Sequence, residues 1–354
     1  MTVYEGAIVT CDAAGSVQRF LVEDRGRILF TGGSIPEAYA RAPRVPLGDG
    51  ALLPAFADTH LHFMSHALFA GGLDVRSAHS IEETLARVSA HAAARKDGLV
   101  IGFGASAHSV TEGRLVTREE LDRAAPNHPV FLVKYDGHAA VVNSKLLAIL
   151  PAGLSALRGF DAGTGLMTQE AFFRVTNQVT GKVSLPATLA SMLEALDAMA
   201  AKGIGLVHSV SGVGFALDLD VTLESLFARG LRNPLAYRLF FQTMDVGKVR
   251  RRGLPRIGGC FATALDGCFG SADAALRAPY ADDARNTGVL YYPDERVRAF
   301  ARQANRAGLQ IEMHAIGDRA FDQAVDALAG ALADFPRADH RHTIIHACLP
   351  TQRG

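Results

Sequence analysis

The stretch Leu52-Leu53-Pro54-Ala55-Phe56-Ala57-Asp58-Thr59-His60-Leu61-His62-Phe63 carries an apolar, strand-like run into a His-x-His pair. In an extended chain residues i and i+2 project to the same side, so His60 and His62 leave one strand end together, roughly 6.5 Å apart along the chain. Two imidazoles so placed can reach a common metal ion, because zinc–nitrogen bonds are about 2.0–2.1 Å long. On this pair alone, two loop histidines with nothing between them stand level with the metal reading, since short motifs recur by chance. The remainder of the chain decides between the two.

From residue 51 onward strand-like runs alternate with helical ones, the pattern of parallel βα units. The first strand is read over 52–57. A helix near Ser80–Arg95 opens with Ser80 and Glu83 at capping-box spacing. Strands are read at 99–103 and 130–133, the second leading into Lys134-Tyr135-Asp136-Gly137-His138. An amphipathic helix over 186–201 is closed by Gly203. Further strands are read at 205–208, 237–241, 259–264, 309–314 and 343–346.

Two of these strands end in histidine, His314 and His346. The helix between them, roughly 318–333, has Phe321, Val325, Leu328 and Leu332 on one stripe. This is one βαβ unit. Its crossover is right-handed and its strands parallel, which sets both histidines at the C-terminal edge of the sheet. In a βα barrel that edge carries the active site, so four histidines from three strand ends can converge. Asp318, at the start of the helix, reads at least as well as an N-cap as a catalytic group.

Residues before 51 form short β-rich runs at 7–10, 20–22 and 27–30, broken by glycine turns, and predict a small, mostly antiparallel sheet without catalytic residues. Lys plus Arg and Asp plus Glu balance at 36 each, which leaves no electrostatic footprint for nucleic acid or an anionic membrane. The basic run Lys248-Val249-Arg250-Arg251-Arg252 is read as solvated surface. No apolar stretch approaches the roughly 20 residues that span a bilayer, and no signal-peptide pattern is found. Cys11, Cys260, Cys268 and Cys348 form no framework, which fits a reducing, cytoplasmic setting. Gly267-Cys268-Phe269-Gly270-Ser271 is not a dinucleotide fingerprint and no phosphate-binding Gly-Lys-Ser/Thr loop occurs, so a nucleotide-binding α/β protein is set aside.

Pro54-x-Phe56-x-Asp58-Thr59-His60-Leu61-His62, Met313-His314-Ala315-Ile316-Gly317-Asp318 and Arg341-His342-Thr343-Ile344-Ile345-His346 together resemble the amidohydrolase superfamily. Asp136-Gly137-His138-Ala139-Ala140-Val141-Val142-Asn143-Ser144 and Leu265-Asp266-Gly267-Cys268-Phe269-Gly270-Ser271 resemble its amidohydrolase-3 branch, which includes N-substituted formamide deformylases. The resemblance runs the length of the chain. It implies an α/β fold, a distorted (β/α)8 TIM-like barrel with a small β-sandwich. Residues 1–50 would be the N-terminal portion of the sandwich. Residues 51–354 would be an incomplete barrel of about six strands, with an insertion around 65–200. The resemblance further implies one or two divalent metals, with zinc expected, that activate water against the C–N bond of a small-molecule amide, formamide or cyclic amide. His60, His62, His314 and His346 would be the ligands. His138 and Asp136 would be substrate-side residues at the barrel mouth, a plain hydrogen-bonding role in the loop standing beside this for His138. A homodimer is the assembly entertained; nucleic acid and membrane partners are not expected.

Two departures qualify the resemblance. Many superfamily members bridge two metals with a carbamylated lysine on the fourth strand, whereas here that strand reads Gly258-Gly259-Cys260-Phe261-Ala262-Thr263-Ala264-Leu265-Asp266. Cys260 is a soft donor that could bind zinc, but a small buried core residue is the favoured reading, and one metal is favoured over two. The second departure is the family's eighth-strand aspartate, which handles the proton and has no counterpart here. The expectation is therefore a C-terminally truncated chain lacking the last two βα units. A general acid–base group contributes about 10²–10⁴-fold, so this chain alone is expected to hydrolyse poorly. The rival is a degenerate barrel that binds metal or ligand without turnover.

Overall fold

The computed structural model describes residues 1–95, 98–230 and 235–352. The chain divides into two compact units, Met1–Ala57 with Gly203–Leu206, and Asp58–Lys202 with Val207–Gly354. The first unit therefore reaches past residue 50, the boundary expected from sequence.

In the first unit β1 (Thr2–Val9), β2 (Val17–Asp24) and β3 (Arg27–Gly32) form an antiparallel meander, and β4 (Arg44–Leu52) joins β1 in parallel, giving the order β3-β2-β1-β4. Arg25 and Gly26 between β2 and β3 both have positive φ, the conformation of a tight hairpin turn. Val3, Phe20 and Val22 are buried against Phe30, Ile35, Tyr39 and Ala42. The strand expected over 52–57 does not form. β4 ends at Leu52 and β5 (Phe56–Leu61) begins four residues later, because Pro54 has no N–H with which to continue a ladder.

In the second unit α1 (Phe63–Ala70) follows β5, and the chain builds β6 (Leu73–Asp74), α2 (Ile81–Ala93), β7 (Val100–Ala105), α3 (Arg118–Ala124), β8 (Val130–Lys134), β9 (Ala139–Val142), α4 (Ser144–Leu147), β10 (Leu166–Thr168) and α5 (Gln169–Thr180). The five strands β6 to β10 form one mixed sheet in the order β10-β9-β8-β7-β6, parallel from β6 to β8 and antiparallel beyond. β8 shows why both faces are covered. Val130 and Leu132 enter one core with Val88 of α2 and Leu121 of α3, while Phe131 and Val133 enter another with Phe172 and Val175 of α5. Alternating side chains of an apolar strand feed opposite faces. Ser80 caps α2 by accepting from Glu83 N at 3.0 Å, but the Glu83 carboxylate accepts from His79 N rather than Ser80 N. The expected capping box is thus only half made there, and the full box occurs at Thr117 and Glu120 of α3.

The remaining elements are α6 (Leu185–Ala201), β11 (Ile204–Ser211), α7 (Leu219–Gly230), β12 (Ala236–Phe241), α8 (Val246–Arg251), β13 (Arg256–Ala264), α9 (Asp294–Arg306), β14 (Gln310–Ala315), α10 (Asp318–Asp334) and β15 (Thr343–His346). A six-stranded parallel sheet in the order β15-β14-β13-β12-β11-β5 nearly closes into a barrel, the incomplete TIM-like architecture expected. Asp318 is not the N-cap of α10. Gly317 holds that position, and the Asp318 carboxylate accepts from Arg277 N at 2.9 Å.

Candidate metal centre

His60 lies on β5, and His62 is the residue that turns the chain from β5 into α1, with φ −89° and ψ 76°. Their ring centroids are 5.3 Å apart. β14 and β15 pair in parallel with His314 opposite Ile345 and Ala315 opposite His346. His346 has φ +66°, an uncommon left-handed conformation for a residue with a Cβ. Its ring stands 4.8 Å from that of His314 and 5.4 Å from that of His60. The four histidines singled out in the sequence are thus brought to one place by three strand ends.

Burial, and after it the neighbouring imidazoles, holds the pKa of His60 down to about 4 and those of His62 and His314 to about 3; His346 is lowered for the same reasons. All four rings are neutral near pH 7, the form that donates a lone pair to a metal. His60 Nδ1 and His314 Nδ1 are buried without a hydrogen-bond partner. His314 Nδ1 faces Asp266 Oδ1 at 3.5 Å. Asp266 is itself fixed, accepting from the backbone N–H groups of Ala275 (2.8 Å), Ile316 (3.0 Å) and Gly317 (2.8 Å). A carboxylate behind an imidazole orients the ring for metal. Neutral, converging imidazoles, His60 Nδ1 among them without a partner, fit a divalent cation.

β13 contributes an irregularity that no sequence pattern announced. Gly259 pairs with Met313, yet the next pair joins Ala264 to His314, so Cys260-Phe261-Ala262-Thr263 bulge out of the ladder. Gly258 has φ +98°, and a Cβ there would lie 2.0 Å from Glu312 O, so the main chain passes where no side chain fits. Thr263 Oγ1 accepts from Gly259 N at 2.8 Å and reaches the carbonyls of Gly259 (2.7 Å) and Glu312 (2.8 Å). Gln242 Oε1 accepts from Phe261 N at 2.8 Å. The bulge is therefore held from both sides. Cys260 is buried, as its core reading required, but its surroundings are imidazoles. Ligand atoms of Cys260, His60 and His62 lie within 4.8 Å of one another, and so do those of Cys260, His314 and His346. Burial, then Glu312 and Cys268, pushes the free thiol up to about 12.

A cavity of about 580 Å³ opens from His60 and His62 and is lined further by His138, Asp136 and the rings of Phe69, Phe103, Phe172, Phe173 and Phe261. Phe261 stands between the two halves of the site, its centroid 5.0 Å from His62, 5.4 Å from His138 and 4.8 Å from Phe173. Burial lowers the His138 pKa. Burial raises the Asp136 carboxyl, but the Lys134 ammonium at 2.8 Å and the His138 N–H outweigh it and leave the pKa lowered. The phenylalanines were not anticipated; they belong to separate runs that only the fold juxtaposes. Nor was a pair of buried carboxylates on α7. Glu224 accepts from Ser211 Oγ and from Tyr237 Oη (2.7 Å), and Asp220 accepts from Gly212 N at 2.6 Å.

A sequence profile of the Amidohydrolase family matches residues 45–353. The YtcJ protein of Bacillus subtilis is 27% identical over 92% of this chain and 64% of its own length. The N-substituted formamide deformylase of Arthrobacter pascens is 23% identical over 92% of this chain and 65% of its own. The chain thus spans a little under two thirds of these relatives. The crystal structure of an uncharacterized metal-dependent hydrolase from Pyrococcus furiosus superposes with a TM-score of 0.71 at 26% identity, covering 93% of this chain and 70% of that one.

Proposed function

Because the chain belongs to the amidohydrolase family, we propose that it hydrolyses a C–N bond of a small-molecule amide, formamide or cyclic amide, with His60, His62, His314 and His346 holding zinc. The observation that carries this reading is the convergence of four neutral imidazoles at the mouth of a nearly closed barrel, beside a cavity of about 580 Å³. When bound, the ion would supply Lewis acidity, polarising the substrate carbonyl and lowering the pKa of water. The chain's own residues do the rest. Asp266, 3.5 Å from His314 Nδ1, stands where a carboxylate would steady that ring with its other nitrogen toward the ion. His138, neutral and at the cavity wall, offers one ring nitrogen to the substrate amide, and Asp136 fixes the His138 backbone from below. The phenylalanine rings exclude water from the acyl or amine substituent, which favours an apolar one. A reducing, cytoplasmic setting belongs to this reading and is supported by four cysteines that are free thiols. Among the described residues no helix is long and apolar enough to cross a membrane.

A second reading, metal or ligand binding without turnover, is favoured by one observation. Among the described residues, the side chains whose donor atoms gather within 4.8 Å of one another at this site are histidines and a cysteine, with no carboxylate. The test is release of amine from a panel of N-acyl, N-formyl and cyclic amides by chelator-stripped protein reloaded with zinc. Slow turnover, as expected of this chain alone, that disappears with chelator and in a His60→Ala/His62→Ala variant is the predicted result. Zinc binding by the histidines with no turnover on any amide would establish the second reading instead.

A further inference from the structure

We propose that Glu224 of α7 is a positioning residue: through Ser211 and Ser209 it fixes the main chain at Phe63 and so aims the ring of His62. The inference rests on the reading of His62 as a metal ligand and adds the buried group that holds this ligand from behind.

His62 occupies the N-cap position of α1, yet its side chain makes no capping hydrogen bond. A side chain at that position ordinarily turns back onto the first N–H groups of the helix, which have no partner within it. The His62 ring stands against His60 and Phe261 instead. The first N–H of the helix, that of Phe63, donates to Ser209 Oγ at 3.4 Å, so the cap comes from β11, 146 positions further along the chain. Capping is thereby delegated, and the imidazole is left for the ion. Ser209 Oγ lies 3.4 Å from Ser211 Oγ, and Ser211 donates to Glu224 Oε1. Because Ser211 gives its proton to the carboxylate, Ser209 is the donor between the two hydroxyls and keeps a lone pair for Phe63 N. The hydrogen bonds thus run one way, from the start of α1 to Glu224. A second arm reaches the same residue from its other side. Tyr237 Oη donates to Glu224 Oε2 at 2.7 Å, and the Tyr237 ring meets the Phe63 ring edge-on at 5.6 Å. Phe63, Ser209, Ser211 and Glu224 are all buried, where polar groups depend on one another rather than on solvent. His62 itself has φ −89° and ψ 76°, a turn that neither strand nor helix geometry prescribes. What fixes the ring is therefore the anchoring of the residue after it.

The test is the zinc affinity of the 354-residue chain by chelator competition, together with the visible absorption of its cobalt-loaded form. Ser209→Ala and Glu224→Leu should each weaken zinc binding by roughly 10–100-fold, the usual cost of losing a group that orients a ligand, and should alter the cobalt bands. Glu224→Gln, whose amide oxygen still accepts from Ser211, should bind zinc as the wild type does and keep its cobalt spectrum. Circular dichroism checks folding, and Ser209→Ala, which removes one oxygen, decides the matter if Glu224→Leu does not fold. Wild-type affinity and an unchanged cobalt spectrum in Ser209→Ala would overturn the positioning role while leaving the histidine reading intact, and so would a loss in Glu224→Gln equal to that in Glu224→Leu. Zinc bound equally by a His62→Ala variant would overturn the histidine reading and this inference with it.

Discussion

His60 and His346 stand on the two edge strands of the six-stranded sheet, with four strands between them, yet their ring centroids are 5.4 Å apart. The imidazole cluster therefore exists only when the sheet is curled, and metal bound at the cluster would tie the edges together. Zinc should raise the unfolding midpoint, by an amount that corresponds to about 2.7 kcal/mol at a hundredfold excess over Kd. The His346→Ala variant should show little of this gain. Thermal unfolding with and without zinc measures it, and an equal zinc effect in both proteins would disprove the tie.

Asp266 accepts three backbone N–H groups from two segments and faces the His314 ring. An amide in its place has one acceptor oxygen and turns N–H toward N–H. Asp266→Asn should cost about 3 kcal/mol in denaturant unfolding, since hydrogen bonds to a buried charge contribute about 1.5–3 kcal/mol and unmade ones are penalised. It should also weaken zinc binding by roughly 10–100-fold through the misoriented ring. Chelator competition reads the second effect; a stability loss with unchanged affinity would confine Asp266 to the fold.

Burial pushes the Glu224 carboxyl up to about 7 from an ordinary value near 4.5. Between these values the native protein holds a proton that the unfolded chain releases, so the group's contribution to stability falls as pH rises through about 4.5–7. The buried imidazoles act in the opposite sense. Their lowered pKa values remove stability as pH falls below about 6.5. Comparing wild type with Glu224→Gln isolates the carboxylate. The variant should gain on the wild type by about 3 kcal/mol between pH 4.5 and pH 8. Denaturant midpoints at four pH values decide the matter, and a constant difference would refute it.

Gly258 is the point where any side chain collides with Glu312 O, on a backbone that L-residues rarely adopt. Gly258→Ala should destabilise by roughly 1–3 kcal/mol or more. It should also speed the reaction of Cys260 with a thiol reagent as the bulge loosens. Unchanged Cys260 labelling in a destabilised variant would show that the bulge does not depend on this glycine.

The fold was legible where apolar period and punctuation agreed, as in β14, α10 and β15, which set His314 and His346 at neighbouring strand ends, one residue apart in register. Pro54 was as visible as any residue, but the apolar run around it read as one strand and its missing N–H decided otherwise. Cys260 was legible as a buried residue and only as the weaker candidate for a metal ligand beside the histidines, because the register shift in β13 leaves no trace in a β-rich composition. The cavity wall was hidden for a related reason: Phe103, Phe173 and Phe261 are distant in sequence, and only the docked helices and sheets set their rings on one surface.

The β13 bulge also settles a question of reach. A cysteine's sulfur stands a single bond beyond Cβ, so on a regular strand it stays close to its own backbone. By detouring over Cys260-Phe261-Ala262-Thr263, the main chain travels the distance that a long side chain would otherwise span. Length has been moved from the side chain into the backbone. Shortening the detour would withdraw the thiol, and a longer residue at position 260 would overshoot the histidines unless the detour shrank with it.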